Sequence, residues 1–468
     1  MRSSGPYTLT MYESRPVADG ELPAATTERP AIRRAGQPTK TLLAIGVGVF
    51  AVAIVSSPID AQRAGAFRGS TDDPAINYAS APVNNVVEDV NRQLQAGALR
   101  LAFEGRAGYL RSAIEALKIP VDSQLLVFSR ASLQGKQISE QNPRAIFFND
   151  RVALGWVRGG DLLEVAAHDE RSGVVFYTLD QRVDAPDPPR FKRAFICLGC
   201  HMAGDTLGVP GFLMFSTTRP NPAQGFSLPR FVDQTDSLER RFGGWFVTGS
   251  AGKTKHMGNE AAALDARASR ELTSVEGLFD ADGYRTLSSD IVAHLVFTHQ
   301  IGMTNLLTRA GWQARVADPA LHPPYSAAPG EEERIALMMK GVASEVVDHL
   351  LFVDEAPLTD AVRGQSGFAE RFAASGPRDR QGRSLYQLDL SRRVMKYPCS
   401  YLIYSPAFDA LPPRAKDPIY KRLWDVLSGE ERDPRYQAAL SKADRQAVVE
   451  ILRDTKKDLP SYFQGTVR

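Results

Sequence analysis

Two cysteines and a histidine stand together in the segment FICLGCHMAG, residues 195–204. Cys197 and Cys200 are three positions apart, and His201 follows the second one directly. Two thiols at this spacing lie on one side of a helical turn, at about the separation of the two vinyl groups of protoporphyrin, and the next residue then lies beneath the iron. The pattern C-x-x-C-H is the rule for covalent attachment of a c-type haem, with the histidine as iron ligand. The chain has only 3 cysteines in 468 residues, so the grouping is specific.

Closely spaced cysteines also occur in two other kinds of site. A structural zinc site needs four ligands, and the sequence contains no second C-x-x-C or H-x-H pair. A thioredoxin-like dithiol stands at the start of a helix that follows a strand, whereas a proline-rich segment precedes this motif. Covalent haem is therefore the leading interpretation. The third cysteine, Cys399, is too distant along the chain to belong to the motif.

Through Cys197, Cys200 and His201 the chain resembles the c-type cytochromes. The resemblance implies one covalently bound haem c, an iron held by His201, and a role in electron transfer or haem chemistry. The rest of the chain does not resemble the small all-helical cytochrome c fold. The order of the segments QLLVFS, NPRAIFFND, GWVRGGD, VVFYTLD, CLGCH, GGWFVTGSAG and KHMGN is similar to that of a group of exported bacterial haem proteins of unassigned function. That similarity implies architecture only.

The second axial ligand decides whether a haem carries electrons or presents an open face to small molecules. The segment KHMGNE offers His256, with Met257 as the alternative, in a polar loop that contains glycine. His299 and Met303 share one helix face and form another candidate pair, although such a stripe is more typical of core packing. Met214 is a further candidate in an apolar strand pattern. We predict that His256 binds the iron opposite His201.

Several other residues receive weaker predictions. Lys192 and Arg193 precede the motif and are candidates for pairing with haem propionates. The segment MKYPCSYLIYS, residues 395–405, predicts an aromatic helix packed on the haem region. His168 is expected at the surface end of a strand, and His349 near the end of a helix, where a positive charge is favourable.

The N-terminal part of the chain predicts export. Residues 41–59, TLLAIGVGVFAVAIVSSPI, carry no charge and follow Arg33, Arg34 and Lys40. A basic flank before an apolar run predicts that the basic end stays in the cytoplasm while the following chain crosses the membrane. A cleaved signal and an uncleaved membrane anchor both remain open. We expect the body of the protein to be periplasmic or otherwise exported, either free or anchored in the cytoplasmic membrane.

Hydrophobic periodicity predicts the fold class α+β. Residues 67–275 combine two helices with a β meander at 124–180, built from short apolar runs, and carry the haem-attachment loop. Residues 276–468 show helical periodicity. The expected organisation is an N-terminal tail and signal or anchor segment over 1–66, the mixed region over 67–275, and the α-helical region over 276–468.

Charge and composition limit the partners. With 56 basic and 54 acidic residues the net charge is +2, which gives no reason to expect a nucleic-acid partner. The expected partner is a redox protein. The sequence thus predicts an exported or membrane-anchored mono-haem c-type cytochrome that transfers electrons. The alternatives are a haem enzyme with an open distal face, resembling a peroxidase or oxygenase, and a haem-bearing sensor or scaffold.

Overall fold

A computed structural model describes residues 65–182, 188–217, 229–259, 271–322 and 328–468. The predicted signal or anchor segment at 41–59 lies outside these ranges. Within them, no helix is both long enough and apolar enough to cross a membrane.

The strands and helices of the described ranges are as follows. In chain order they are α1 (Val86–Gln95), α2 (Leu110–Ala116), β1 (Leu125–Val127), β2 (Arg144–Phe148), β3 (Val152–Trp156), β4 (Leu162–Asp169), β5 (Gly173–Asp180), β6 (Lys192–Arg193), α3 (Leu198–His201), β7 (Phe215–Thr217), β8 (Pro229–Phe231), β9 (Trp245–Phe246), α4 (Ile291–Val316), α5 (Glu331–Leu350), α6 (Phe368–Ala374), α7 (Pro406–Asp409), α8 (Pro413–Ser428), α9 (Pro434–Ala439) and α10 (Lys442–Thr455).

Seven strands form an antiparallel sheet in the order β6-β5-β4-β3-β2-β1-β9, and β7 pairs separately with β8. From β1 to β6 each strand lies beside the next one along the chain, which is a meander. The five apolar runs predicted between 124 and 180 are all present, as β1 to β5. Helices dominate the chain after β9, so the predicted α+β class is confirmed.

The sheet buries both of its faces. Side chains alternate along β4, so Leu163, Val165 and Ala167 join one apolar core with α1 and α2. Ala166 points the other way and joins a second core together with α4 and the C-terminal helices. Because both faces are covered, all five residues of β3 are buried.

Helix α4 is the centre of the second core. Its 26 residues are almost all buried, and Phe297 packs against Phe148 of β2 with the two rings tilted and their centroids 4.4 Å apart. Asp290 caps the helix by accepting a hydrogen bond from the Val292 N–H at 2.8 Å. α5 packs against α4 and α8, which joins the helical region to the sheet. The change of secondary structure near residue 275 is therefore not a break in packing, and all described residues belong to one compact unit.

The tyrosine-rich segment at 395–405 differs from its prediction. Only Tyr401–Tyr404 is helical, as a single 3-10 turn that Ser400 caps. Pro398 lacks an N–H and disfavours helical backbone in the residue before it, so a longer helix cannot pass through this position. The prediction of an aromatic helix was wrong, although Tyr401 and Cys399 are buried in the core.

Candidate functional site

The motif at 197–201 occupies one short helical turn at the edge of the sheet. A 3-10 turn over Phe195–Cys197 leads directly into α3, which ends at His201. Cys197 and His201 are half-buried and Cys200 is exposed. Both cysteines are free thiols. The predicted helical turn at the cysteines is confirmed.

The imidazole of His201 is held in one orientation. Its Nδ1 lies 2.9 Å from the carbonyl oxygen of Gly211. A carbonyl only accepts, so Nδ1 carries the proton and the lone pair lies on Nε2. The ring also packs on Phe176 of β5, with centroids 4.9 Å apart. Metal-binding histidines are commonly oriented by such a bond from the opposite ring nitrogen. Burial lowers the pKa of His201, which favours the neutral ligand form.

Helix α4 fixes the carbonyl that orients His201. The Asn305 side-chain oxygen accepts from the Phe212 N–H, and its amide donates to the Phe212 carbonyl oxygen, each at 2.9 Å. A Cβ at Gly211 would lie 2.3 Å from the Asn305 side-chain oxygen, so a larger residue would displace the side chain that bonds Phe212. The Gly211 N–H in turn donates to the His201 carbonyl oxygen at 2.9 Å. Sequence reasoning missed these residues because 93 positions separate Phe212 from Asn305.

A charged pair lies on the sheet beside the motif. The Arg144 guanidinium of β2 contacts the Glu164 carboxylate of β4, with side chains 20% and 11% exposed. The Ser132 hydroxyl also donates to Glu164, at 3.2 Å. Both charges act on Cys197: burial is the main cause that raises its pKa to about 11, Glu164 raises it further, and Arg144 lowers it. His201 is within the influence of the same two charges.

The environment of the thiols disfavours the dithiol and zinc interpretations. A redox-active cysteine needs a lowered thiol pKa, whereas the pKa of Cys197 is raised. Within the described ranges, no three or more His, Cys, Asp or Glu side chains converge as a metal ion requires. The two cysteines and His201 therefore do not form a tetrahedral zinc centre by themselves.

Apolar side chains are exposed around the motif. Ile196 is 71% exposed and Phe195 is 46% exposed, immediately before Cys197. Leu133, next to the serine that contacts Glu164, is 52% exposed. Contiguous exposed apolar side chains, unlike single ones, commonly mark a binding surface. Their position suits a flat, largely apolar group attached at the two cysteines.

Arg193 is already engaged by the protein. Its guanidinium donates to the backbone oxygens of Tyr78 at 2.6 Å and Ala79 at 3.1 Å, and it stacks on Phe195 at 5.0 Å. These contacts fix the segment that precedes the motif. The pairing of Arg193 with a haem propionate remains a prediction. Lys192 lies on β6 with an exposed side chain.

His256 lies away from His201. Its ring packs on Phe242, which in turn contacts His294 near the start of α4. Asn305, which bonds the segment next to His201, lies eleven residues after His294 on the same helix. This spacing corresponds to a rise of about 16 Å along the helix axis. Two nitrogen ligands on opposite sides of one metal are only about 4 Å apart. The structure therefore does not bring the predicted ligand pair together.

Two further contacts define this second neighbourhood. His256 Nδ1 accepts a hydrogen bond from the Gly258 N–H at 3.0 Å, so its lone pair is used locally. The Ser216 hydroxyl lies 3.6 Å from the Met257 sulfur. The alternative ligand Met257 is thus also held within this loop. The composition of KHMGNE alone does not predict the direction in which the loop faces.

The remaining ligand candidates are core residues. His299 uses both ring nitrogens, Nδ1 toward Gln234 at 2.5 Å and Nε2 toward Ser400 at 2.6 Å. Met303 and Met214 are fully buried, as the core interpretation of these positions predicts.

His349 lies in the last turn of α5, as the sequence predicts. It stacks on His299 and burial lowers its pKa, so its charge differs from the helix-end cation that the sequence suggested. His168 lies at the end of β4 and is half-buried, and burial lowers its pKa to about 4.

Comparison of the chain with models of protein families, with curated proteins and with solved structures finds no match.

The histidines generate a pH prediction. Burial lowers the pKa of His256 to about 4, so between about pH 6.5 and pH 4 the unfolded chain binds a proton that the folded chain does not. The free energy of unfolding must therefore fall as the pH falls through this range. We expect His256→Gln to make that fall shallower in urea titrations at several pH values.

The matched control is His322→Gln. The hydrogen bond that the His322 ring donates to the Asp318 carbonyl and then its contact with the Asp73 carboxylate raise the pKa of His322, so protonation of this histidine favours the folded state. Its loss cannot make the fall shallower. Equal pH profiles for wild type and His256→Gln would contradict the buried, neutral state of His256.

Proposed function

We propose that this protein is an exported mono-haem c-type cytochrome that transfers electrons. One observation carries the proposal: two free thiols share a single helical turn with His201, whose Nδ1 is bound to the Gly211 carbonyl and whose Nε2 is left with its lone pair. Cys197, Cys200 and His201 are the residues that would hold haem c.

The attachment chemistry needs no further reactant. Each of the two thiols would add across one vinyl double bond of the haem, with its sulfur bonding to one vinyl carbon and its hydrogen passing to the other. No electrons are gained or lost and no group leaves. When bound, haem supplies an iron that exchanges one electron.

The chain positions this chemistry at the surface. The Gly211 carbonyl accepts from the His201 ring, Asn305 holds the backbone of the next residue, Phe212, and Phe176 packs against the ring. Cys200 and Ile196 are exposed, so a redox partner protein can approach the attachment site. Electron transfer falls off steeply with distance, and an exposed attachment site suits transfer between proteins.

A haem enzyme is the second candidate. Among the described residues, His201 makes no ring contact or hydrogen bond with another histidine or a methionine. A haem bound there with one open face would accept small molecules in its sixth position. The spin state of the iron distinguishes the two functions.

The first test concerns covalent attachment. Wild-type protein co-expressed with haem-maturation enzymes should keep its haem on a denaturing gel and give the pyridine haemochrome spectrum of haem c. Cys197→Ala/Cys200→Ala should lose both signals because no thioether can form. Cys399→Ala is the matched control, since it removes the buried third cysteine and should keep full haem staining. Wild-type protein that releases its haem on denaturation would refute the proposal.

The sixth position is tested by spectroscopy. We expect His256→Ala to leave the spectrum of the native ferric haem unchanged, because His256 packs near the start of α4. Met257→Ala should likewise leave the spectrum unchanged. A change to high spin in either variant would show that its side chain reaches the iron. A native protein that is high-spin and binds carbon monoxide when reduced would favour the haem enzyme.

Export is proposed from the sequence at 41–59, which precedes the described residues. A reporter enzyme that is active only outside the cytoplasm, fused after residue 70, should be active in a bacterial host. Gly48→Arg/Ala51→Arg places two charges in the apolar run and should abolish that activity at equal expression. Activity that survives the two arginines would remove the argument for export.

A further inference from the structure

The strongest feature outside the motif itself is the ion pair between Arg144 and Glu164. Both side chains project from the face of the sheet on which the motif lies, among apolar neighbours such as Ile146 and Ala166. Arg144 begins β2 and Glu164 lies on β4, so the guanidinium must cross β3 to reach the carboxylate. Ala166, two residues after Glu164 on the same face of β4, lies opposite Phe176 in the β4–β5 register, and the His201 ring packs on Phe176. Cys197 packs against the same core.

Gly155 makes the crossing possible. It lies on β3 directly opposite Glu164 in the β3–β4 register. A Cβ at this position would clash with the Arg144 guanidinium. Glycine in the interior of a strand weakens the strand, and it commonly marks a place where another group approaches closely. The glycine that makes room for the ion pair therefore lowers the stability of β3.

Fold stability is a poor explanation for this arrangement. A largely buried ion pair often contributes less than apolar side chains of the same volume would. The Nε of Arg144 is also buried without a hydrogen-bond partner, so the pair is incompletely satisfied. Its position beside the candidate iron ligand offers a different explanation.

We propose that Arg144 and Glu164 set the reduction potential of the haem iron held by His201. The inference rests on the proposed function. Reduction adds one negative charge to the iron, so a nearby positive charge favours the ferrous state and a nearby negative charge favours the ferric state. In the partly buried surroundings of the motif these charges are weakly screened. The two residues thus act in opposite directions and nearly balance each other.

The experiment is a potentiometric titration of the haem-loaded protein. Arg144→Gln leaves Glu164 uncompensated and should lower the potential, with the ferric form favoured about tenfold, which is about 59 mV for a one-electron couple. Glu164→Gln should raise the potential by a similar factor. Arg144→Gln/Glu164→Gln should return close to wild type, because both charges are then gone.

Two controls separate charge from packing. Arg144→Lys keeps the positive charge and should stay close to wild type. Arg383→Gln removes an arginine of similar exposure, 17%, whose partner Asp379 lies outside the sheet, and it should leave the potential unchanged. If Arg144→Gln does not fold, comparing Glu164→Gln with the double variant still measures the sign of the arginine's effect.

The outcomes distinguish this inference from the proposed function. Wild-type protein that carries covalent haem, with single variants that leave the potential unchanged or shift it in the same direction, would overturn the inference alone. Wild-type protein without covalent haem would overturn the proposed function and the inference with it. Opposite shifts that cancel in the double variant would support both.

Discussion

A helix that is buried on all sides must find partners for the polar side chains it carries, because an unpaired buried polar group is costly. Helix α4 is under this constraint, and the hydrogen bonds of its buried polar side chains fix the positions of neighbouring segments. Asn305 is satisfied by both backbone groups of Phe212, which fixes the segment that follows the motif. His299 is satisfied by Gln234 and Ser400, which fixes two further segments. The orientation of His201 is therefore a distant consequence of a polar residue in the core.

The sequence predicted local features well and long-range ones poorly. Alternation in segments such as LLEVAAHD identified the strands, because the period of two is a property of the strand itself. The C-x-x-C-H spacing likewise identified a helical turn. The Arg144–Glu164 contact depends on the register of three strands, and only Gly155 inside an apolar strand signals it. The direction of the His256 loop depends on packing against Phe242, which loop composition does not encode.

The surroundings of the motif favour uncharged forms of its side chains. Burial keeps the His201 ring neutral and the Cys197 thiol protonated, and both effects have the same cause. A neutral imidazole suits metal ligation, and a protonated thiol resists pairing into a disulfide. Exposed Ile196 and Phe195 add an apolar surface beside them. These properties suit a permanently attached aromatic cofactor better than a dithiol that cycles between redox states.

Gly155 has a consequence for how this sequence can evolve. Any larger residue at this position would displace the Arg144 guanidinium, and the unpaired Glu164 would then be left in a largely dry setting. A single substitution there is therefore disfavoured while the arginine is present. Substitutions at positions 144, 155 and 164 should be inherited together, so that lineages which lose the arginine are free to acquire a side chain in the middle of β3.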